Sequence, residues 1–406
     1  MKKAPLLTAK YVPTYVFVTS LFLLWGIAIT MGDLLNRRFQ TVLNVSIADS
    51  GLVQFSIFGA YFVMGIPAGL FMKKYGYKNG VLLGLALYAI GAFMFYPAAE
   101  AQSFDFFRLA LFVLACGLAT LETVAHPFSA ALGHEETSEQ RINLSQTFNG
   151  VGAIIGPVVG SYIMLRNVPT GDVVADLAPV KYLYIVIGAV VAAVAISFSF
   201  IKVPPLTAEA SGSDESASGT PQKGLFAHRH FIWAAIAQFF NVAAQGATWA
   251  FFINYAVKYI PDMTDEKAGY YFAFSMVLLL AGRAVGTFLM RFVKPNILLA
   301  IFAGANILMC LIISQTWGWA SFIALMMLNF FMSIMFPTIF GLGLRNLGPL
   351  KPQASSYIVM GVVGGAVFPP IMGKVADIDV AQSYLMPIIC YVVILLFGLV
   401  FSKPKN

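Results

Sequence analysis

Long apolar runs, each broken by a short polar or Pro/Gly-containing stretch, recur along nearly the whole chain. A run of about 18 or more such residues is long enough to cross a hydrocarbon core roughly 30 Å thick. The pattern predicts twelve helices, over residues 13–35, 51–72, 79–100, 106–131, 143–165, 181–203, 229–257, 267–290, 296–314, 318–343, 354–374 and 381–402. The fold class is therefore an all-α membrane protein with twelve transmembrane helices. The first run starts near Tyr15, passes Leu35 and has no small-residue cleavage pattern after it, so it reads as a retained helix and not as a removable signal.

Between the sixth and seventh runs the pattern stops. Pro204 to Lys223 consists mainly of Ala, Ser, Gly, Thr, Pro and acidic residues, which bury too little apolar area to order themselves. The segment 204–226 is read as a linker between an N-terminal six-helix bundle, 1–203, and a C-terminal one, 227–406. Two internal echoes support that division. GLFMKKYGYKNGVLL from Gly69 aligns with GTFLMRFVKPNILLA from Gly286 at an offset of 217, and HPFSAALG (126–133) aligns with FPTIFGLG (336–343) at an offset of 210. Two related sets of six helices imply a duplicated transporter with a site near the bilayer midplane where the repeats meet.

Composition agrees: 59% of residues are hydrophobic and 11% charged, too little polar surface for a water-soluble chain of 406 residues. The net charge of +7 does not form a basic stripe with interleaved aromatics, so nucleic acid is not a partner. Counted over alternate loops, sixteen Lys and Arg fall on the side of the termini and linker and eight on the other, leaving Arg283 within a span. The asymmetry places both termini in the cytoplasm of a multi-pass protein of the cell's inner (plasma) membrane. Cys116, Cys310 and Cys390 lie inside apolar runs, where cysteine behaves as a small hydrophobe. No nucleophile–base set, metal-ligand cluster or phosphate loop is evident, so neither catalysis nor a metal or other cofactor is expected.

Of eighteen acidic residues, sixteen fall in loops, at span ends or in the linker, and two, Asp33 and Glu122, do not. Glu122 lies fourteen residues after Arg108 and thirteen before Glu135, about 20 Å from either flank and hence at mid-membrane. A carboxyl there costs at least about 2.5–3.5 kcal/mol to insert, and such groups face a cavity, a partner or a proton path. Asp33 stands four residues before Arg37, and two readings remain: an i,i+4 ion pair at the membrane edge, or a transport role. His126 is one helical turn after Glu122 and just before Pro127; it either shares or tunes the Glu122 proton or bonds a carbonyl freed by the proline. Arg283 either snorkels to the cytoplasmic face or acts as a counter-charge in gating. His134, His228 and His230 read as solvated loop residues.

Uncharged polar residues complete the pattern. Gln146 and Asn149 are three apart on the fifth span, and Gln238, Asn241, Gln245 and Trp249 recur at spacings of three and four on the seventh. Such stripes line water or bond a neighbouring helix. A neutral, polyhydroxylated ligand needs this mixture of amides and apolar or aromatic walls.

The stretches FLLWGIAITMGDLL, GIPAGLFMKKYGYKNG, GLATLETVAHPF, RINLSQTFNGVGAIIG, AQFFNVAAQGATWAFFINYAV and PTIFGLGLRNLG resemble the fucose–proton symporter and glucose/galactose transporter branch of the major facilitators, over nearly all twelve spans. The resemblance implies the major facilitator fold and proton-driven sugar uptake, with Asp33 needed for coupling, Glu122 joining substrate recognition to protonation, and Gln146 and Asn149 matching the branch's helix 5 polar motif. The chain departs from the fucose pattern at Thr30, His126 and Phe336, where that pattern has Asn, Asn and Tyr, and Lys73 replaces the usual acid of the loop after the second helix. Loss of an amide and a phenol removes hydroxyl partners, so another hexose or an N-acetylhexosamine is as good a candidate as fucose. The expected partners are a small sugar, protons and membrane lipid, with the chain acting as a monomer. Sodium coupling through the same carboxylates is the alternative. An export pump for lipophilic compounds fits the amide-rich stripe poorly, and a nutrient receptor would need a larger cytoplasmic domain than the linker provides.

Overall fold

A computed structural model describes residues 7, 9–133, 138–201, 224–347 and 350–402. The expected linker, from Pro204 to Lys223, and His134 lie outside the described residues. The described residues form seventeen α-helices in chain order: α1 Val12–Leu43, α2 Ile47–Ser50, α3 Leu52–Phe93, α4 Phe95–Glu100, α5 Phe104–Ala131, α6 Ser138–Gly160, α7 Val173–Ser199, α8 Arg229–Ala250, α9 Phe252–Tyr259, α10 Asp265–Leu289, α11 Pro295–Ser314, α12 Trp319–Met332, α13 Met335–Gly343, α14 Lys351–Met360, α15 Gly364–Ala376, α16 Val380–Ser383 and α17 Pro387–Leu396. The described residues contain no strand. Lipid offers the backbone no hydrogen bonds, so helices satisfy their own.

Among the described residues ten helical runs are long and apolar enough to cross a membrane. One of them, Ile47–Glu100, has 54 residues, about 80 Å at 1.5 Å per residue and so two crossings. It turns at Gly76, whose φ of 81° favours glycine. The α8–α9 pair, diluted by its amide stripe, brings the number to twelve. Local chemistry sets the ends: Pro13 begins α1, Asn44 closes it in the left-handed region, and Ser103, Asp172 and Thr264 cap α5, α7 and α10 through their side chains.

Several details differ from the pattern reading. The sixth crossing begins at Val173, not 181, because Asp172 caps it by accepting from Val174 N and Ala175 N. That brings Asp176 into a helix, 6% exposed, where its carboxylate accepts from Thr170 N at 2.9 Å and Gly171 N at 3.1 Å. His230, expected in solvent, is 3% exposed in α8, and its Nε2 lies 2.8 Å from the Arg345 carbonyl. Arg141, counted as a loop charge, is fully buried, with Nε donating to Ser129 O at 3.1 Å and its own carbonyl accepting from Tyr15 at 2.7 Å. The spans at 229–257, 318–343 and 354–374 are each interrupted, around Phe251, Ser333 and Gly361–Val363.

The chain divides into two compact units, Met1–Val45 with Gly59–Ala208, and Ser46–Phe58 with Glu209–Asn406. In the first, α1 crosses α6 backbone to backbone: a side chain on Gly26 would meet Asn149 O, and one on Gly152 would meet Leu23 O. In the second, α8 crosses α15 in the same manner, with Gly364 against Phe239 O. Small residues at both crossings let the helices approach where lipid supplies no hydrophobic drive. Residues 46–58 group with the second unit, where Asp377 accepts from Ile47 N at 2.7 Å and Ala48 N at 3.2 Å.

Candidate functional site

The first unit gathers its polar residues around the middle of α5. Glu122 is partly exposed, and among the described residues its carboxylate makes no hydrogen bond or ion pair. One turn on, His126 Nδ1 lies 2.9 Å from the Glu122 carbonyl and Nε2 lies 2.6 Å from the Gln146 amide nitrogen on α6. The carbonyl can only accept, so Nδ1 carries the hydrogen and Nε2 offers a lone pair to the amide. The imidazole in this arrangement is neutral. A second proton on it requires the Gln146 amide to turn its oxygen toward Nε2.

Aromatic rings wall the cluster. The His126 ring is edge-on to Phe22 at 5.0 Å and to Trp25 at 6.4 Å between centroids. Trp25 Nε1 donates to the Tyr61 hydroxyl at 2.6 Å, and Tyr61 is in electrostatic reach of Glu122. Since that hydroxyl already accepts from the indole, its own proton is left to give away. Asn149 Nδ2 donates to the Phe22 carbonyl at 3.3 Å, which ties α6 to α1 beside the same wall.

The other expected residues of this unit sit deeper. Asp33 is 6% exposed in α1 and in electrostatic reach of Tyr184, which stacks on Phe95. Thr30 is 1% exposed and its hydroxyl donates to Gly26 O at 3.0 Å, so it is committed to its own helix. Arg38 holds the outer end of α1 by donating to the Asp176 carbonyl at 2.5 Å and the Asn167 carbonyl at 3.1 Å.

In the second unit, Gln238 and Asn241 are buried on α8, Gln245 is partly exposed, and Trp249 is 8% exposed. The Gln238 amide has no hydrogen-bond partner among the described residues. Trp249 Nε1 donates to Asn329 Oδ1 at 2.7 Å, and Asn329 Nδ2 donates to Ser275 Oγ at 2.9 Å. Phe336 is partly exposed at the start of α13, and Arg283 lines a cavity near the end of α10.

Sequence reasoning missed three of these residues. Trp25 stands two turns before Asp33 and was legible as an aromatic wall residue, whereas Tyr61 and Asn329 are ordinary residues of aromatic and apolar runs. Among the described residues no group of three or more His, Cys, Asp or Glu side chains is placed to hold a metal ion.

Twelve helical crossings among the described residues, with a carboxyl and an imidazole on one of them, define a membrane transporter, and the chain belongs to the Major Facilitator Superfamily, which matches residues 16–369. It is 38% identical to the L-fucose-proton symporter of Escherichia coli K12, over 96% of this chain and 93% of that protein. It is 34% identical to the glucose/galactose transporter of Brucella abortus, over 95% and 93%. The crystal structure of FucP, a major facilitator transporter in the outward conformation, superposes with a TM-score of 0.70 at 37% identity, covering 98% of this chain and all of that one. A D-xylose-proton symporter at 13% identity shares the fold with a TM-score of 0.78.

Proposed function

We propose that this chain is a proton-coupled symporter for a hexose or hexose derivative, working by alternating access between two six-helix halves, 1–203 and 227–406, joined by a cytoplasmic linker over 204–226. The observation that carries this reading is the uncommitted Glu122 carboxylate beside the His126–Gln146 pair. It sits on a chain whose relatives carry fucose with protons, or glucose and galactose. Protonation of Glu122 and Asp33 neutralises the interior so that the loaded carrier can reorient, and release of the protons to the more alkaline side resets it. Glu122 joins sugar and proton, and Asp33 responds to the gradient.

In this reading Gln146, Asn149 and His126 bond sugar hydroxyls. Gln238, Asn241 and Gln245 do so too, and Trp249 and Phe336 supply apolar faces; Thr30 steadies α1 through its bond to Gly26 O. Arg283 acts as a gating counter-charge. The replacement of an amide by His126 favours a sugar other than fucose, with N-acetylglucosamine among the candidates. The protein works as a monomer in the inner membrane with both termini in the cytoplasm.

Uptake into proteoliposomes under separate proton and sodium gradients tests the proposal. An inward proton gradient is expected to drive accumulation of at least one hexose or N-acetylhexosamine. Accumulation driven by sodium alone would assign the carboxylates to cation binding instead.

A further inference from the structure

The second unit has a cavity of about 300 Å³ between α10, α13 and the start of α11, at the end where α8 begins. Arg283, Thr287, Thr338 and Arg345 supply its polar lining and Pro295 and Ile334 part of its wall. Arg283 is partly buried, and its Nε makes a long contact of 3.4 Å to the Ser333 carbonyl. Neither arginine forms an ion pair with a carboxylate among the described residues. Thr338 is 7% exposed, and its hydroxyl and that of Ser333 are buried with no hydrogen-bond partner among the described residues.

The sequence explains the missing counter-charge. Between Glu266 and Asp377 there is no acidic residue at all, and the acids of residues 227–406 are Asp262, Asp265, Glu266, Asp377 and Asp379. Asp265 begins α10 and lies eighteen residues, about 27 Å of helix, from Arg283. Asp377 and Asp379 stand between α15 and α16. The cavity thus brings together two guanidinium groups and Thr338, whose hydroxyl is unsatisfied among the described residues, with no carboxylate among the residues that line it. Guanidinium groups bind phosphate oxygens through paired, charge-assisted hydrogen bonds, and a partly buried cation without a counter-ion is costly.

We propose that this cavity is a phosphate-binding site, in which Arg283 and Arg345 clamp a phosphate mono- or diester and Thr338 donates to one of its oxygens. The volume admits the phosphate with an attached sugar- or glycerol-sized group, so the same chemistry arrives either on a soluble sugar phosphate or on the headgroup of an anionic lipid. The site is separate from the Glu122 cluster and does not depend on which sugar or ion is carried.

The full-length protein in phosphatidylcholine nanodiscs is titrated with inorganic phosphate and with hexose 6-phosphate at constant ionic strength, with chloride as control, while thermal unfolding and equilibrium binding are followed. A parallel set uses nanodiscs containing phosphatidylglycerol. Saturable stabilisation by either phosphate compound beyond chloride identifies the soluble source, and stabilisation by phosphatidylglycerol alone identifies the lipid. In either case R345Q and T338V, neither of which removes the partly buried Arg283, are expected to weaken the effect at least about tenfold and a few-fold respectively. R283Q is expected to abolish it. No saturable effect of phosphate, hexose phosphate or phosphatidylglycerol beyond chloride overturns the proposal, and so does an effect left unchanged by R345Q, T338V and R283Q together.

Discussion

At the scale of single residues, the chemistry of the first unit rests on what each polar group already bonds. Thr30 and Asn149 spend a donor on backbone carbonyls, whereas the Glu122 carboxylate is uncommitted among the described residues. Glu122→Gln keeps the shape and removes the exchangeable proton. It is expected to abolish accumulation against a gradient while leaving sugar exchange across the membrane, and counterflow in proteoliposomes checks both. His126 and Gln146 act as a pair, because the lone pair of one meets the amide of the other at 2.6 Å. His126→Asn returns an amide to that position and is expected to change the preference between two hexoses by roughly 10- to 100-fold, the equivalent of one buried hydrogen bond of about 1–3 kcal/mol. Competition assays over a sugar panel read that change, and an unaltered ranking would remove His126 from the binding site.

At the scale of helices, close crossings and end caps carry the architecture. Gly152 sits where α6 meets the backbone of α1, so Gly152→Val forces the helices apart and is expected to cost about 1–3 kcal/mol, read as a lower unfolding temperature in detergent. The turn before α16 offers a pH test outside the membrane. The Asp379 carboxylate accepts from the Tyr259 hydroxyl at 2.5 Å and from Ala381 N at 2.8 Å. The tyrosine bond first, then the backbone bonds, hold its pKa below the ordinary carboxylate range. Because the folded value is the lower one, this stabilisation is complete above the unfolded value of about 3.9 and disappears as pH falls through the folded value. Wild type is therefore expected to exceed Asp379→Asn in stability at neutral pH, with the gap closing below about pH 4.

At the scale of the whole molecule, the distribution of Lys and Arg implies the proposed orientation, which labelling can test. The native cysteines Cys116, Cys310 and Cys390 are all buried, so background reaction is expected to be low. A single Ser216→Cys substitution in the linker is expected to react with a membrane-permeant maleimide in intact cells and to be spared by an impermeant one. Labelling by the impermeant reagent would reverse the assigned orientation. The motifs that carry the family likeness include Gly26 and Gly152, each packed against the backbone of a neighbouring helix where a larger side chain would clash.

The apolar periodicity by itself determined the fold class, because lipid admits only segments that satisfy their own backbone and these need about twenty apolar residues. It also singled out Glu122, since a carboxyl far from both flanks is visible by counting. Only the tertiary structure decided what surrounds it: Tyr61 and Trp25 reach the cluster from other helices, and no spacing along one chain reports a contact across a crossing. The same holds for His230 and Arg141, which looked like loop residues and are buried with backbone carbonyls of other segments paired to them, and for Asp176, whose carboxylate is paired with the backbone amides of the turn before its helix. Membrane depth follows from position along a helix, whereas partnership follows from how helices pack, and the packing settles which buried charge is structural and which is left to bind.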